Sequence, residues 1–125
     1  MRLALTAAGL FVAGIVCGWW GQLYFSSRVA PVLSLATFMS ADESYENGRW
    51  ESAVIELYES SHWYPEWYSP DQMLGQIFVE QGYYELAAVH LAKAEEKFEN
   101  PLSELFRAYP SDLEEIEKLK NLIPD

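Results

Sequence analysis

The sequence predicts an all-α protein, in which an N-terminal single transmembrane helix is followed by a repeat domain of helical hairpins and by C-terminal capping helices. Three observations predict this arrangement. The run from Leu3 to Phe25 carries no charged residue. Gly48 and Gly82 are 34 residues apart, which is the spacing of one class of helix-turn-helix repeat. Proline and small polar residues mark the starts of the later helical patterns.

The first predicted element is a transmembrane anchor over residues 1–28. As a helix, the 23 residues from Leu3 to Phe25 would extend about 34 Å at ~1.5 Å per residue, enough for a hydrocarbon core of roughly 30 Å. A cleaved secretory signal and lipidation at Cys17 are the alternatives. The run is longer than the apolar part of a signal peptide, and Gly14-Ile15-Val16 is a poor lipidation context, so we expect a retained anchor that contacts lipid through residues 3–25.

The orientation of this anchor is predicted from the charges at its ends. Arg2 and the amino terminus lie at one end and Arg28 at the other. The positive-inside rule favours a single-pass protein of the bacterial inner membrane, with a cytoplasmic N-terminus and a periplasmic acidic domain.

Three glycines lie on the predicted anchor with helical spacing, namely Gly14, Gly18 and Gly21. Small residues four apart let two membrane helices approach closely. We expect them to pack against another transmembrane helix or against a second copy of the chain. The alternative is that glycine is simply common in membrane helices.

Composition excludes several classes of function. The chain has a net charge of -11, and residues 29–125, with six Lys or Arg and nineteen Asp or Glu, carry a net charge of −13. Such a surface repels phosphate backbones, so nucleic-acid binding is not expected. Cys17 is the only cysteine, and His62 and His90 are the only histidines. We therefore expect no metal site, no cofactor and no enzymatic activity.

The part after a linker at 29–34 is predicted to contain two repeats over residues 35–100, at about 34–67 and 68–101. Helices are expected at about 35–47 and 49–61 in the first repeat. In the second, Ser69-Pro70-Asp71-Gln72 is a capping box that begins a helix to Gln81, and a partner helix follows at about 83–98. Capping helices are expected within 101–125, one over about 101–108 and one that begins at a capping box at Ser111.

The repeats resemble the tetratricopeptide repeat family. The second repeat has Leu74-Gly75, Phe78, Gly82, Tyr84, Ala87, Leu91 and Ala94 at the matching positions, and the first has Gly48, Trp50, Ala53, Leu57 and a closing Pro65. The first repeat departs from the pattern at Ser40-Ala41, and the second lacks the closing proline at Glu99. The resemblance implies that these residues pack the hairpins, with small residues where two helices cross and large ones between them.

The same resemblance implies a concave groove lined by the first helix of each pair. The residues expected to face it are Phe38, Asp42, Tyr45, Glu46, Gln72, Gln76, Val79 and Glu80. No lysine or arginine is among them, so the groove is not of the kind that clamps a terminal carboxylate. A basic or amphipathic protein segment is the expected ligand.

Four aromatic residues between the two repeats form a second candidate surface, namely Trp63, Tyr64, Trp67 and Tyr68. Exposed Trp and Tyr are typical anchors at protein interfaces. The alternative interpretation is that the rings fold inward and fill the joint between the repeats.

Taken with the anchor, the resemblance implies an adaptor or assembly factor that holds a partner protein at a membrane complex. A permanent small accessory subunit of an energy-converting or secretion complex is the alternative. A homodimeric tether held through Gly14 and Gly18 is a third possibility.

Overall fold

The computed structural model describes residues 2–24, 28–100 and 109–125. These residues contain no strand, and their helices are α1 (Arg2–Tyr24), α2 (Ala30–Glu46), α3 (Trp50–Trp63), α4 (Ser69–Gln81), α5 (Tyr84–Phe98) and α6 (Pro110–Asn121). The predicted all-α class is confirmed. The capping helix predicted over 101–108 lies outside the described residues.

The chain divides into two compact units, Met1–Val32 and Leu33–Asp125. In the first unit, the described side chains of α1 are exposed, and Leu10 and Phe11 are 70% and 71% exposed. The second unit contains the hairpins and the buried core.

The predicted transmembrane anchor over residues 1–28 is overturned by this structure. Within the described parts of the chain, no helix combines the length and the apolar character needed to cross a membrane. Helix α2 has 17 residues and includes acidic ones. The predicted single-pass localisation and bacterial inner-membrane orientation depended on this anchor, and they are therefore wrong as well.

The packing role predicted for the three glycines of α1 depended on that anchor. A methyl group added at Gly14, Gly18 or Gly21 would meet nothing within 4 Å. Among the described residues, these positions therefore have no close neighbour.

Helix α2 begins earlier than the sequence pattern predicts. The linker expected at 29–34 is helical from Ala30 onward, with Pro31 in the first turn of α2. Proline is tolerated there because the first amides of a helix have no intrahelical acceptor. A proline that was taken to mark a connector therefore marks a helix start.

Neither predicted capping box forms. The residue before α4 is Tyr68 and the residue before α6 is Tyr109, and neither cap makes a side-chain hydrogen bond. Ser69 is instead the first residue of α4, and Ser111 lies inside α6. The helix starts were predicted within one or two residues, but the capping hydrogen bonds were wrong.

The first hairpin is held by serine hydrogen bonds between α2 and α3. The Ser34 hydroxyl donates to the Ser60 carbonyl at 2.7 Å, and the Ser60 hydroxyl donates to the Ser34 carbonyl at 2.7 Å. Both serines are fully buried. Hydroxyls that satisfy each other in this way let two helices cross closely without leaving a buried polar group unpaired.

The second hairpin depends on a closer approach, between Gly75 of α4 and Leu91 of α5. A methyl group added at Gly75 would lie 2.4 Å from Leu91 Cδ2. Leu91 is 0% exposed, as is Leu57, the residue 34 positions earlier. Only glycine at position 75 leaves room for that leucine.

Other positions 34 residues apart also share an environment. Ala53 and Ala87 are both 0% exposed. Gly48 and Gly82 both have a positive φ, 77° and 81°, a conformation that glycine adopts without steric cost at a helix end. The spacing read from the sequence therefore corresponds to equivalent positions in two successive helical hairpins.

The aromatic connector between the hairpins folds inward. Tyr64, Trp67 and Tyr68 are 8%, 5% and 1% exposed, whereas Trp63 is partly exposed. They form a core cluster with residues of α5 and α6, namely Leu91, Ala94, Ile116 and Leu119. Three of the four residues of the predicted aromatic interface therefore fill the joint and cap the second hairpin.

Tyr84 is not the packing residue that the sequence pattern predicted. It begins α5 and is 39% exposed. Its neighbour Tyr83 instead places its ring 6.2 Å from that of Trp50 and 6.3 Å from that of Phe78. Tyr83 precedes the helix and contacts these two rings while remaining 52% exposed.

We expect Gly75→Ala to destabilise the protein, because the new methyl group overlaps Leu91. The cost should be about 1–3 kcal/mol, despite a gain of up to about 1 kcal/mol in helix propensity. Leu91→Ala alone should cost about 2–5 kcal/mol. Urea unfolding of the full chain followed by circular dichroism measures both.

The double variant is the control, since Leu91→Ala opens the space that the Gly75→Ala methyl group needs. Its destabilisation should be at least about 1 kcal/mol smaller than the sum of the two single effects. Additive effects, or a Gly75→Ala variant as stable as the original chain, would contradict the proposed close approach.

Candidate functional site

A groove lies where α2, α4 and α6 come together, and its volume is about 320 Å³. It is lined by Phe38, Asp42, Tyr45, Ser69, Gln72, Met73, Gln76 and Asp112. The helices that supply its walls are the first helix of each hairpin and the helix that follows the second hairpin. It is therefore a surface that depends on the stacking of successive elements.

Five of the eight residues that the resemblance assigned to a groove line this one, namely Phe38, Asp42, Tyr45, Gln72 and Gln76. Glu46 and Glu80 are exposed beyond the lining residues. Val79 is half-buried and packs against the core rather than lining the groove. The predicted face is therefore largely the observed one, with its end around Val79 displaced into the core.

Three lining residues were missed by the sequence reasoning. Ser69 and Met73 lie one helical turn from Gln72 and Gln76, so the i, i+3, i+4, i+7 pattern of α4 could have identified them. No sequence pattern indicated that Asp112 would line the groove. It reaches the groove because Tyr68, 44 positions earlier, donates a hydrogen bond to its carboxylate.

The groove is negatively charged. Asp42 and Asp112 line it, and no lysine or arginine does. The Asp42 side chain is exposed. A site with this charge favours cationic ligands and disfavours anionic ones.

The Asp112 carboxylate is fixed in place by Tyr68. Burial and the hydrogen bond to Asp112 raise the pKa of Tyr68 to about 12. The Tyr68 hydroxyl therefore keeps its proton at neutral pH and remains a donor to Asp112. This hydrogen bond holds the Asp112 side chain at the groove wall.

A second tyrosine orders the other side of the groove. The Tyr45 hydroxyl donates to the Glu80 carboxylate, and the Gln76 amide donates to Glu80 Oε1 at 3.2 Å. Burial, followed by the hydrogen bond to Glu80, raises the pKa of Tyr45 above its usual value. Side chains held in this way lose less rotational freedom when a ligand binds.

The aromatic side of the groove packs against the buried connector. The ring of Phe38 lies 4.7 Å from that of Trp67, at an interplanar angle of 55°. Trp67 belongs to the buried connector, so the inward fold of the connector supports the groove from behind. Phe38 remains half-buried and borders the groove.

Outside the groove, a buried polar network joins the two hairpins. His90 of α5 is 4% exposed and lies between Tyr58 of α3 and Asp71 of α4. Its Nε2 is 2.8 Å from the Tyr58 hydroxyl, and its Nδ1 is 2.8 Å from Asp71 Oδ1. Lys97 pairs with the other oxygen of Asp71.

Asp71 is the charged centre of this network and is 2% exposed. Burial alone would raise the pKa of this carboxyl group, but hydrogen bonds from His90 and Lys97, together with the positive charge of Lys97, outweigh burial and lower it. The folded state therefore holds the ionised form more strongly than the unfolded chain does. The network links the hairpins and is centred on two buried side chains, His90 and Asp71, so we assign it a structural role.

Among the parts of the chain that the structure describes, no group of three or more His, Cys, Asp or Glu side chains is placed to hold a metal ion. What the groove offers is instead carboxylates, amides and an aromatic ring in an open cleft. Such an arrangement can bind a ligand reversibly.

We expect Asp71→Asn to cost about 3–5 kcal/mol of stability at neutral pH, because it removes the charge that pairs with Lys97 and His90. The pKa of Asp71 is depressed in the folded state, so its contribution is fully present above the unfolded pKa of about 3.9 and is lost as the pH falls through the folded pKa. The gap between the original chain and the variant should therefore shrink below about pH 4. Urea unfolding of the full chain at pH values from about 7 to about 2.5 measures this gap.

Glu96→Gln is the matched control, since it removes one negative charge from an exposed position of α5. It should change stability by less than about 0.5 kcal/mol. An Asp71→Asn effect that is equally large at both ends of the pH range would show that the ionised carboxylate is not the stabilising group.

Comparison of the chain with protein-family models, with curated proteins and with solved structures gives no match. The resemblance to the tetratricopeptide repeat family therefore stays a prediction from the pattern of residues.

Proposed function

We propose that the second unit of this protein, residues 33–125, is a protein-binding module of the tetratricopeptide type and that its groove holds an extended segment of a partner protein. The observation that carries the proposal is the groove itself: it lies where the sequence pattern predicted a ligand face, and five predicted residues line it. In this role the chain is an adaptor or assembly factor.

The contacts around the groove support a binding role in two ways. The side chains of Asp42 and Gln72 make no hydrogen bond or ion pair within the described residues, and both line the groove. Tyr45, Gln76 and Glu80 are already ordered by their mutual hydrogen bonds. A groove with both available and pre-ordered polar groups suits the backbone and side chains of an extended polypeptide.

The negative charge of the groove defines the class of partner. Because Asp42 and Asp112 are not accompanied by a lysine or arginine among the lining residues, an acidic segment would be repelled. A segment with net positive charge is complementary to the groove.

A permanent small subunit of a larger complex is the second candidate, and one observation favours it. Met39 and Leu35 lie one turn apart on α2 and are 63% and 40% exposed. Exposed apolar side chains grouped on one helix face are typical of surfaces covered in an assembly. This role differs from that of an adaptor in that the partner would be present at fixed stoichiometry.

The location of the partner is tested by site-specific crosslinking in cells that produce the full chain. A photoreactive phenylalanine analogue at Gln72 should crosslink to a polypeptide, because Gln72 lines the groove. The same analogue at Glu59, which is exposed on α3, is the matched control and should give at least about fivefold less product. Gel electrophoresis and mass spectrometry quantify the crosslinked species.

Equal crosslinking from both positions, or product only from Glu59, would place the partner elsewhere and rule out the groove as the binding surface. The amount of partner that copurifies separates the two candidate roles. Variable, substoichiometric recovery is expected of an adaptor, whereas a fixed ratio would identify a permanent subunit.

A further inference from the structure

The residues that line the groove restrict the chemistry of its ligand more narrowly than its net charge does. Its carboxylates come from two different elements, Asp42 from α2 and Asp112 from α6, and Phe38 lies on the same lining. A planar cation that both pairs with carboxylates and stacks on an aromatic ring matches this combination. Among protein side chains, arginine has both properties.

The aspartates differ in how they are held, and this difference suits a forked ligand. Asp112 is fixed by the Tyr68 hydroxyl and is only partly exposed. Asp42 is exposed and makes no hydrogen bond or ion pair within the described residues. One carboxylate can therefore act as a fixed acceptor while the other adjusts to the ligand. The five N–H donors of a guanidinium can serve both acceptors at once.

The aromatic ring adds a contact that a lysine ammonium uses less well. Phe38 is half-buried and is supported by Trp67 at a ring distance of 4.7 Å. A guanidinium stacked on a fixed ring gains cation–π and dispersion energy in addition to the ion pair.

The size of the groove agrees with one large side chain. Its volume of about 320 Å³ lies at the low end of the range for ligand pockets, roughly 300–1,000 Å³. An extended segment that inserts one long side chain fits this volume.

We propose that the groove recognises an arginine side chain in a basic polypeptide segment, with the guanidinium over Phe38 and paired with Asp42 and Asp112. This inference rests on the proposed function and names the residue type by which that function selects its partner. Arginine is then the anchor of the interaction, and the flanking chain lies along Gln72 and Gln76.

The test uses the isotope-labelled full chain and short glycine–serine peptides that carry one central arginine, lysine or citrulline. The arginine peptide should shift the amide signals of Phe38, Gln72 and Gln76 in a concentration-dependent way. The lysine peptide should bind about tenfold more weakly, and citrulline, which keeps the shape but loses the charge, should bind more weakly still. Free arginine amide shows how much of the effect needs a peptide.

Two variants test whether the arginine peptide contacts these two carboxylates. Asp42→Asn and Asp112→Asn should each weaken binding of the arginine peptide about tenfold. Asp42 is exposed, so its variant should fold normally, and an asparagine at 112 can still accept the Tyr68 hydrogen bond. Glu96→Gln removes the same charge from an exposed part of α5 and should change binding less than about twofold.

Each other outcome overturns the arginine proposal. Equal binding of arginine and lysine peptides, or equal losses in Asp42→Asn and Glu96→Gln, would mean that only the overall charge attracts the ligand. Equal shifts with the citrulline peptide would leave the groove as a peptide site without an arginine anchor, so the proposed function would survive alone. If no peptide moves the groove signals, the arginine anchor is wrong. The crosslinking from Gln72 then decides separately whether a partner occupies the groove.

Discussion

The close approach of α4 and α5 at Gly75 and Leu91 is the constraint on which the second hairpin and the groove depend. An added methyl group at Gly75 would lie 2.4 Å from Leu91, so the two helices can pack at this distance only because the position lacks a side chain. Leu91 also belongs to the core cluster that contains the aromatic connector and α6. The helix crossing, the buried connector and the third wall of the groove are therefore parts of one packing arrangement.

Features that recur at the 34-residue spacing could be predicted from the sequence. The positive φ of Gly48 and Gly82 and the burial of Ala53, Ala87, Leu57 and Leu91 follow from the 34-residue repeat, because equivalent positions of stacked hairpins meet the same neighbours. Five of the groove residues of α2 and α4 were instead expected from the resemblance to the tetratricopeptide repeat family, which implies a face lined by the first helix of each hairpin. The spacing was informative at these positions but not at Tyr84, which lies 34 residues after Trp50 and is 39% exposed.

Features that depend on long-range contacts could not be predicted in this way. Asp112 of the groove is bonded to Tyr68, and Trp67 is buried in a cluster with residues of α5 and α6 and with Phe38 against it. The helical start of α2 at Ala30 contradicted a local reading of Pro31 as a connector, since proline is compatible with both. The anchor was inferred from an apolar run alone, and within the described residues no helix meets the requirements of length and apolar character.

Two lysines of the second unit form ion pairs with carboxylates that do not line the groove. Lys97 pairs with Asp71, and Lys120 pairs with Glu95 at 2.9 Å. The carboxylates that line the groove are thus left without an internal counterion among the lining residues, and their field extends into the solvent over about a Debye length, ~8 Å at physiological ionic strength. A positively charged ligand would therefore be drawn toward this face before any contact forms, and the rate of such encounters would fall with added salt. The rate of that encounter would in this sense depend on which carboxylates the lysines pair with.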